Sequence, residues 1–228
     1  MMPNSFRAPQ RSLLSAVVAA ATLTLAACGG GDSGGHTPLA VSQTAERREL
    51  PQALMTRAAI NYSPYRTAAS ERDLANEVIT PANVLQDLRL VQAAGFGTIR
   101  LFTSRIFSET VLQVIRDNNL DLKVYLGAYP NPVNSAADEA ANQVELDAAI
   151  RLARAFPDTV LAVSVGNETM VEWSTHKVPP ETMAGYIRKV RAAITQPVTT
   201  NDNWLFWASV PKVIAETVDF AAVHVYPF

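Results

Sequence analysis

The chain has 228 residues, room for one large domain with a real core, and 48% of them are hydrophobic. Its 19 Lys and Arg against 21 Asp and Glu leave a formal charge of -2. No run of Lys or Arg forms a basic footprint, which argues against nucleic acid as a partner.

The first 27 residues read as an export signal. Arg7 and Arg11 supply a positive start, residues 13–27 are apolar and small, and the run is short for a membrane span. It ends in Leu25-Ala26-Ala27-Cys28 followed by three glycines, which resembles a bacterial lipobox. Cys28 is the chain's one cysteine, so it can form no internal disulfide, and lipid attachment gives it a use. The chain is thus expected to be exported and held by lipid at the cell envelope, on the periplasmic face or the cell surface. A plain signal with an incidental cysteine is the simpler alternative. Residues 28–56 have the Gly, Ser and polar composition of a flexible tether, which places the folded domain at 57–228.

From there apolar runs and helical periodicities alternate. Residues 58–62 read as a strand closed by Ser63 and Pro64. Thr80 as N-cap and Pro81 behind it open a helix that Gly95 stops. Strands follow at 98–102 and 122–126, around a helix at 107–117. A helix over 138–156, with Val144, Leu146, Ile150 and Leu152 expected on its buried face, leads to the run 160–168. Beyond it come a helix at 180–194, a strand at 198–201, a helix at 209–217 and a strand at 218–226.

Such alternation predicts a parallel sheet wrapped by helices, either a closed (β/α)8 barrel or an open doubly wound sheet. No Gly-x-Gly-x-x-Gly follows any strand, against dinucleotide binding. Polar and aromatic residues instead gather where the strands end, as at the mouth of a barrel. The fold class is therefore α/β, an incomplete (β/α)8 TIM barrel with six of its eight units visible.

The run Val-Leu-Ala-Val-Ser-Val-Gly-Asn-Glu, residues 160–168, delivers an amide and a carboxylate to the C-terminal end of a buried strand, where α/β folds do chemistry. Apolar surroundings raise a carboxyl pKa, so Glu168 is the first candidate for a catalytic acid. The plainer reading is a turn that caps the next helix. Tyr62, Tyr65, Trp173, Trp204, Trp207 and Tyr226 offer flat apolar faces, and Asn167, Asn201 and Asn203 offer hydrogen bonds. That is the composition of a sugar site.

These residues resemble glycoside hydrolase family 17, the β-1,3-glucanase-like barrels of clan A. The likeness rests on Gly166-Asn167-Glu168, on Asn61-Tyr62, on residues 99–102 and on residues 225–228, and it covers residues 58–228. It implies a retaining mechanism on β-1,3-glucan or a related β-glucan. Glu168 would be the general acid/base, and Asn167 would bind the 2-hydroxyl of the sugar at the cleavage point. Tyr226 would lie near the nucleophile, and Tyr62 and Arg100 would line the floor. His224, Trp204 and Asn203 complete the expected substrate-binding set.

Several of these have a structural alternative. Arg100 would serve as a buried ion-pair partner, His224 as a core histidine, Asn203 as a helix cap, and one of Trp204 and Trp207 as packing. The family's nucleophile is a glutamate ending a seventh strand, and the sequence given stops after the sixth, so a truncated chain is expected. A carbohydrate-binding lipoprotein without the nucleophile is the competing reading. No cofactor is expected, and His36, His176 and His224 lack metal-ligand spacing.

Overall fold

A computed structural model describes residues 46–67 and 77–226, so the signal segment, Cys28 and residues 28–45 of the expected tether lie outside the described residues. Six strands form one sheet in the order of the chain: β1 (Ala59–Asn61), β2 (Thr98–Leu101), β3 (Lys123–Ala128), β4 (Val160–Asn167), β5 (Val198–Asn203) and β6 (Ala222–His224). Every neighbouring pair is parallel. Sequential parallel strands joined by helices curl in one hand, and the result is the arc of a (β/α) barrel.

The helices are α1 (Gln52–Thr56), α2 (Pro81–Ala93), α3 (Ser108–Asp117), α4 (Ala136–Ala155), α5 (Pro180–Ala193), α6 (Trp204–Ala208) and α7 (Lys212–Ala215). Local chemistry starts them. Thr80 Oγ1 accepts from the Asn83 N–H at 3.1 Å with Pro81 in the first turn, and Ser135 Oγ accepts from the Asp138 N–H at 3.2 Å. Between helices and sheet the core is closed by Leu88, Leu112, Leu146, Leu152, Met183 and Ile187 against Ile99, Leu101, Val124, Leu126 and Val163. Each such side chain contributes roughly 1.5–3 kcal/mol by leaving water.

Gly127 marks the closest approach of β2 and β3. A Cβ there would stand 2.5 Å from the Leu101 carbonyl oxygen and 2.6 Å from that of Phe102.

Four expectations need correction. Val144 is exposed, since α4 turns Leu146, Ala149 and Leu152 inward instead. Of the expected helix over 209–217 only Lys212–Ala215 forms, after Pro211, and a further short helix that was not expected, Trp204–Ala208, precedes it behind the Asn203 cap. The last strand pairs only over Ala222–His224. The tether does not run to residue 56.

That last segment is bound to the fold at both ends. The Arg48 N–H donates to Asp219 Oδ1 at 2.9 Å, and its guanidinium donates to the carbonyls of Gln196 at 2.8 Å and Arg191 at 2.6 Å. Arg57 donates to the carbonyls of Gly97 and Asp121, both at 3.2 Å, and to Asp121 Oδ1 at 2.7 Å. Gln196, Asp219, Gly97 and Asp121 stand just before β5, β6, β2 and β3, so residues 46–57 cross the N-terminal ends of the strands, opposite the mouth.

Candidate active site

The site is assembled by a defect in β4. Ser164 pairs with Thr199 but Asn167 pairs with Asn201, so three steps along β4 answer two along β5. The extra residue is a bulge, which re-aims the side chains after it. Gly166 sits in it at φ +94°, and a Cβ there would lie 2.9 Å from Thr169 Oγ1 and 3.0 Å from Met183 Cε. Glu168 follows at φ +51°, a left-handed backbone that a non-glycine residue holds at a cost of order 1–3 kcal/mol. Its own N–H donates to the Asn201 carbonyl at 2.8 Å, which fixes the carboxylate over the mouth.

Two donors meet on one oxygen of that carboxylate. Tyr226 Oη donates to Glu168 Oε1 at 2.7 Å, and His224 Nδ1 lies 2.8 Å from the same atom. Arg100 stands behind them. Its Nη2 donates to Asn167 Oδ1 at 2.7 Å, and its Nη1 lies 3.0 Å from His224 Nε2. The guanidinium is stacked over Phe102, 4.5 Å from the ring centroid. Burial pulls its pKa below the usual value, opposed by the charges of Tyr125, Tyr226 and Glu168.

Desolvation pushes the Glu168 carboxyl up, but the hydrogen bonds from Tyr226 and His224 outweigh it and leave the pKa below the usual range. The expectation of a raised carboxyl is thus reversed. The surroundings foreseen as apolar in fact converge two donors on Oε1.

Around this group the lumen is polar. Tyr125 hydrogen-bonds Asn201 Oδ1 from a half-buried position, with burial pushing its phenol up. His176, on the loop after β4, has Nε2 2.9 Å from the Asn167 carbonyl oxygen and 3.3 Å from Tyr129 Oη. Its ring stacks on that of Tyr129 at 5.4 Å. Trp173, Trp204 and Tyr226, on the successive segments after β4, β5 and β6, are 56%, 51% and 51% exposed. Of the three, Tyr226 touches the carboxylate directly, and the two tryptophans stand exposed on the segments that follow β4 and β5. Among the described residues no group of three or more His, Cys, Asp or Glu side chains could hold a metal ion.

Glu168, Asn167, Arg100, His224 and Tyr226 are therefore joined in one network, and Trp204 stands open at the rim. Tyr62 and Asn203 are not part of it. Tyr62 is buried with Oη donating to Asp87 Oδ2 of α2 at 3.1 Å, so the strand-end tyrosine closes the wall. Asn203 Oδ1 accepts from the Leu205 N–H at 3.0 Å, which commits it to capping α6. Trp207 is packing, its indole N–H donating to the Ala222 carbonyl at 2.9 Å. His176, Tyr125 and Tyr129 were absent from the expected set. Alternation along β3 could have drawn attention to Tyr125 in the lumen, whereas no pattern in the loop singles out His176.

A parallel strand arc with an amide and a carboxylate delivered to its C-terminal mouth defines a glycosidase-type (β/α) barrel. The chain belongs to the BtgE/BtgC glycoside hydrolase domain family, which matches residues 59–228. An endo-laminarinase from Formosa shares its fold at 23% identity and a TM-score of 0.63, over 75% of this chain and 50% of that one. A glycoside hydrolase family 17 β-1,3-glucanosyltransferase from Rhizomucor miehei does so at 17% identity and 0.56, over 75% and 57%. A β-glucuronidase from Bacteroides uniformis, at 12% identity and 0.55, is matched over 75% of this chain and 20% of that one. The chain thus spans about half the length of the first two enzymes. No curated protein sequence matches it significantly.

Proposed function

We propose that this chain carries the acid/base half of a retaining glycosidase acting on β-1,3-glucan or a related β-glucan, with Glu168 as its proton donor and acceptor. The observation that carries the reading is the convergence of Tyr226 and His224 on Glu168 Oε1 while Arg100 holds the adjacent Asn167. Family membership and the laminarinase and glucanosyltransferase folds support the substrate class.

The chemistry runs as follows. Glu168 protonates the glycosidic oxygen as the bond to the leaving sugar breaks, then takes a proton from the incoming water or sugar hydroxyl. Hydrolysis and glycosyl transfer share this step and differ in which acceptor arrives. A sugar that displaces the Tyr226 hydroxyl from Oε1 removes one donor from the carboxylate, and its pKa then climbs toward the acid role. Asn167, held by Arg100, offers its amide N–H to the 2-hydroxyl. Trp204 offers a ring face to a neighbouring sugar. The second carboxylate that such a mechanism needs is to be supplied by residues beyond those described. The lipobox-like Cys28 would anchor the exported protein by lipid to the cell envelope, with the mouth facing away from the strap at residues 46–57.

A second reading, a carbohydrate-binding protein that does not cleave, draws on Asp202. Burial, with the charge of Glu168 adding to it, pushes this carboxyl up, while its Oδ2 accepts from the Met170 N–H at 2.9 Å and its Oδ1 from the Asn203 N–H at 2.8 Å. Fully buried, it presents no oxygen to a bound sugar.

Incubating the protein as its gene encodes it with β-1,3-glucan, and following reducing ends and the anomer released, separates the two. The glycosidase reading expects cleavage with retention, lowered about 10²–10⁴-fold in Glu168→Gln. Binding without cleavage, unchanged by that substitution, favours the second reading. Incorporation of labelled fatty acid, abolished in Cys28→Ala, tests the anchor.

A further inference from the structure

Beside the mouth, where the segments after β2 and β3 meet α4, lies a cavity of about 570 Å³, within the ~300–1,000 Å³ usual for ligand pockets. Glu145 of α4 forms its floor and is only 5% exposed. One oxygen of this carboxylate is saturated. Oε1 accepts from Thr103 Oγ1 at 2.8 Å, from the Ser104 N–H at 2.7 Å and from the Tyr129 N–H at 3.0 Å. Those bonds tie together the ends of β2 and β3. The other oxygen takes none of them.

A carboxylate can accept at both oxygens, and Oε2 faces the cavity. Oε2 is thus an acceptor of fixed position that a ligand's donor would satisfy. The remaining wall narrows the choice of ligand. Tyr65 and Phe107, in edge contact at 5.5 Å, and Phe102 give it aromatic faces. Asn131 stands at the rim, its backbone N–H donating to Asn142 Oδ1 and its carbonyl accepting from Asn142 Nδ2, both at 2.8 Å. Arg105 lines the same cavity, so an anion meets Glu145 and a bare cation meets Arg105, and neither makes use of the aromatic wall. A pyranose ring uses both, one face on the rings and a hydroxyl on the carboxylate.

The cavity is joined to the candidate active site through Tyr129, whose N–H is on Glu145 while its ring stacks on His176 beside Asn167. We propose that this cavity is a distal sugar subsite, in which Glu145 accepts a hydroxyl hydrogen bond from a glucosyl unit of the same β-glucan chain that reaches Glu168. The inference rests on the β-glucan reading and sharpens it: the protein measures chain length at Glu145.

The test is affinity against length. Binding of β-1,3-gluco-oligosaccharides from two to seven units is measured by calorimetry in the Glu168→Gln background, alone and with Glu145→Gln or Asn131→Ala, thermal melts confirming the fold. Glu145→Gln keeps an oxygen for the Oε1 bonds and turns the open acceptor into a donor. The proposal expects a step in affinity with length that each variant lowers, by about tenfold or more for Glu145→Gln, with the shortest sugars bound as before. A step untouched by both variants overturns it. So does an equal loss at all lengths in both, which would make Glu145 only a brace for the loops. Should Glu145→Gln fail to fold, Asn131→Ala decides. If no oligosaccharide of any length binds, the β-glucan reading fails with it, whereas length-independent binding sinks the subsite alone.

Discussion

Arg100 and His224, 124 residues apart in the chain, meet in the lumen with Nη1 3.0 Å from Nε2. A guanidinium has donors and no acceptor, so the imidazole must accept on Nε2 and keep its proton on Nδ1. That proton is the one aimed at Glu168 Oε1, 2.8 Å away. Arg100 therefore sets the direction of the last hydrogen bond before the candidate catalytic carboxylate.

The tautomer is open to measurement. In the intact protein, ¹⁵N shifts of the His224 ring should report a protonated Nδ1 and a bare Nε2. Arg100→Met should relax this toward a mixture of tautomers. A protonated Nε2 in the unaltered protein contradicts the arrangement.

Removing a donor from Glu168 should raise its pKa. With its carboxyl held below the usual range, Glu168 contributes stability that is present above the unfolded value of about 4.3 and is lost as pH falls through the lower folded value. Tyr226→Phe deletes the 2.7 Å bond. Its Glu168 carboxyl, followed by ¹³C resonance, should titrate at higher pH than in the parent, and the alkaline limb of kcat/KM, which the loss of the general acid's proton sets, should move the same way. An unchanged or lower titration would show that the bond does not hold the carboxylate.

Asp219 ties residues 46–57 to the N-terminal ends of the strands, through the Arg48 N–H on one side and the Val198 N–H on the other. Asp219 has a fully buried side chain, desolvation pushing its pKa up, but Arg191 at 2.7 Å and the backbone N–H groups of Arg48 and Val198 carry it below the usual range. The sign is the carboxylate's: the stabilisation is complete above the unfolded value of about 3.9 and is lost as pH drops below it. Asp219→Ala leaves Arg191 and the Arg48 N–H without their shared acceptor and should cost ~3–5 kcal/mol in denaturant melts near neutral pH. The difference from the parent should shrink in acid.

Gly127 should resist substitution for a different reason. Its φ lies outside the left-handed region, so only space is at issue, and a methyl there meets the backbone of Leu101 and Phe102 inside contact distance. Gly127→Ala should lose about 1–3 kcal/mol or more in thermal melts, since neither strand can retreat without breaking the ladder.

The elements most legible in the sequence were those written in periodic apolar patterns and caps. Thr80 and Pro81 opened α2 as expected, and the apolar run through Val163 and Val165 announced β4. What stayed hidden depends on contacts across the chain. The bulge at Gly166 exists only relative to β5, and the downward pull on Glu168 only once Tyr226 and His224 come near it. Tyr62 read as a ligand contact because it ends a strand. Its hydroxyl went to Asp87 on a helix 25 residues away, a partner no strand pattern could name. Arg48 looked like tether for the same reason, its partners lying 143 to 171 residues downstream.

The central claim is that Glu168 donates and then accepts the proton, and chemical rescue of Glu168→Ala addresses it most directly. With β-1,3-glucan the variant should lose about 10²–10⁴-fold in rate. With an aryl β-glucoside whose phenol leaves without protonation, added azide should restore turnover and yield the glycosyl azide in the retained β configuration, since azide needs no base to attack the glycosyl-enzyme. A variant that cleaves glucan at the parental rate would contradict the assignment and leave Glu168 as a turn residue held by its neighbours.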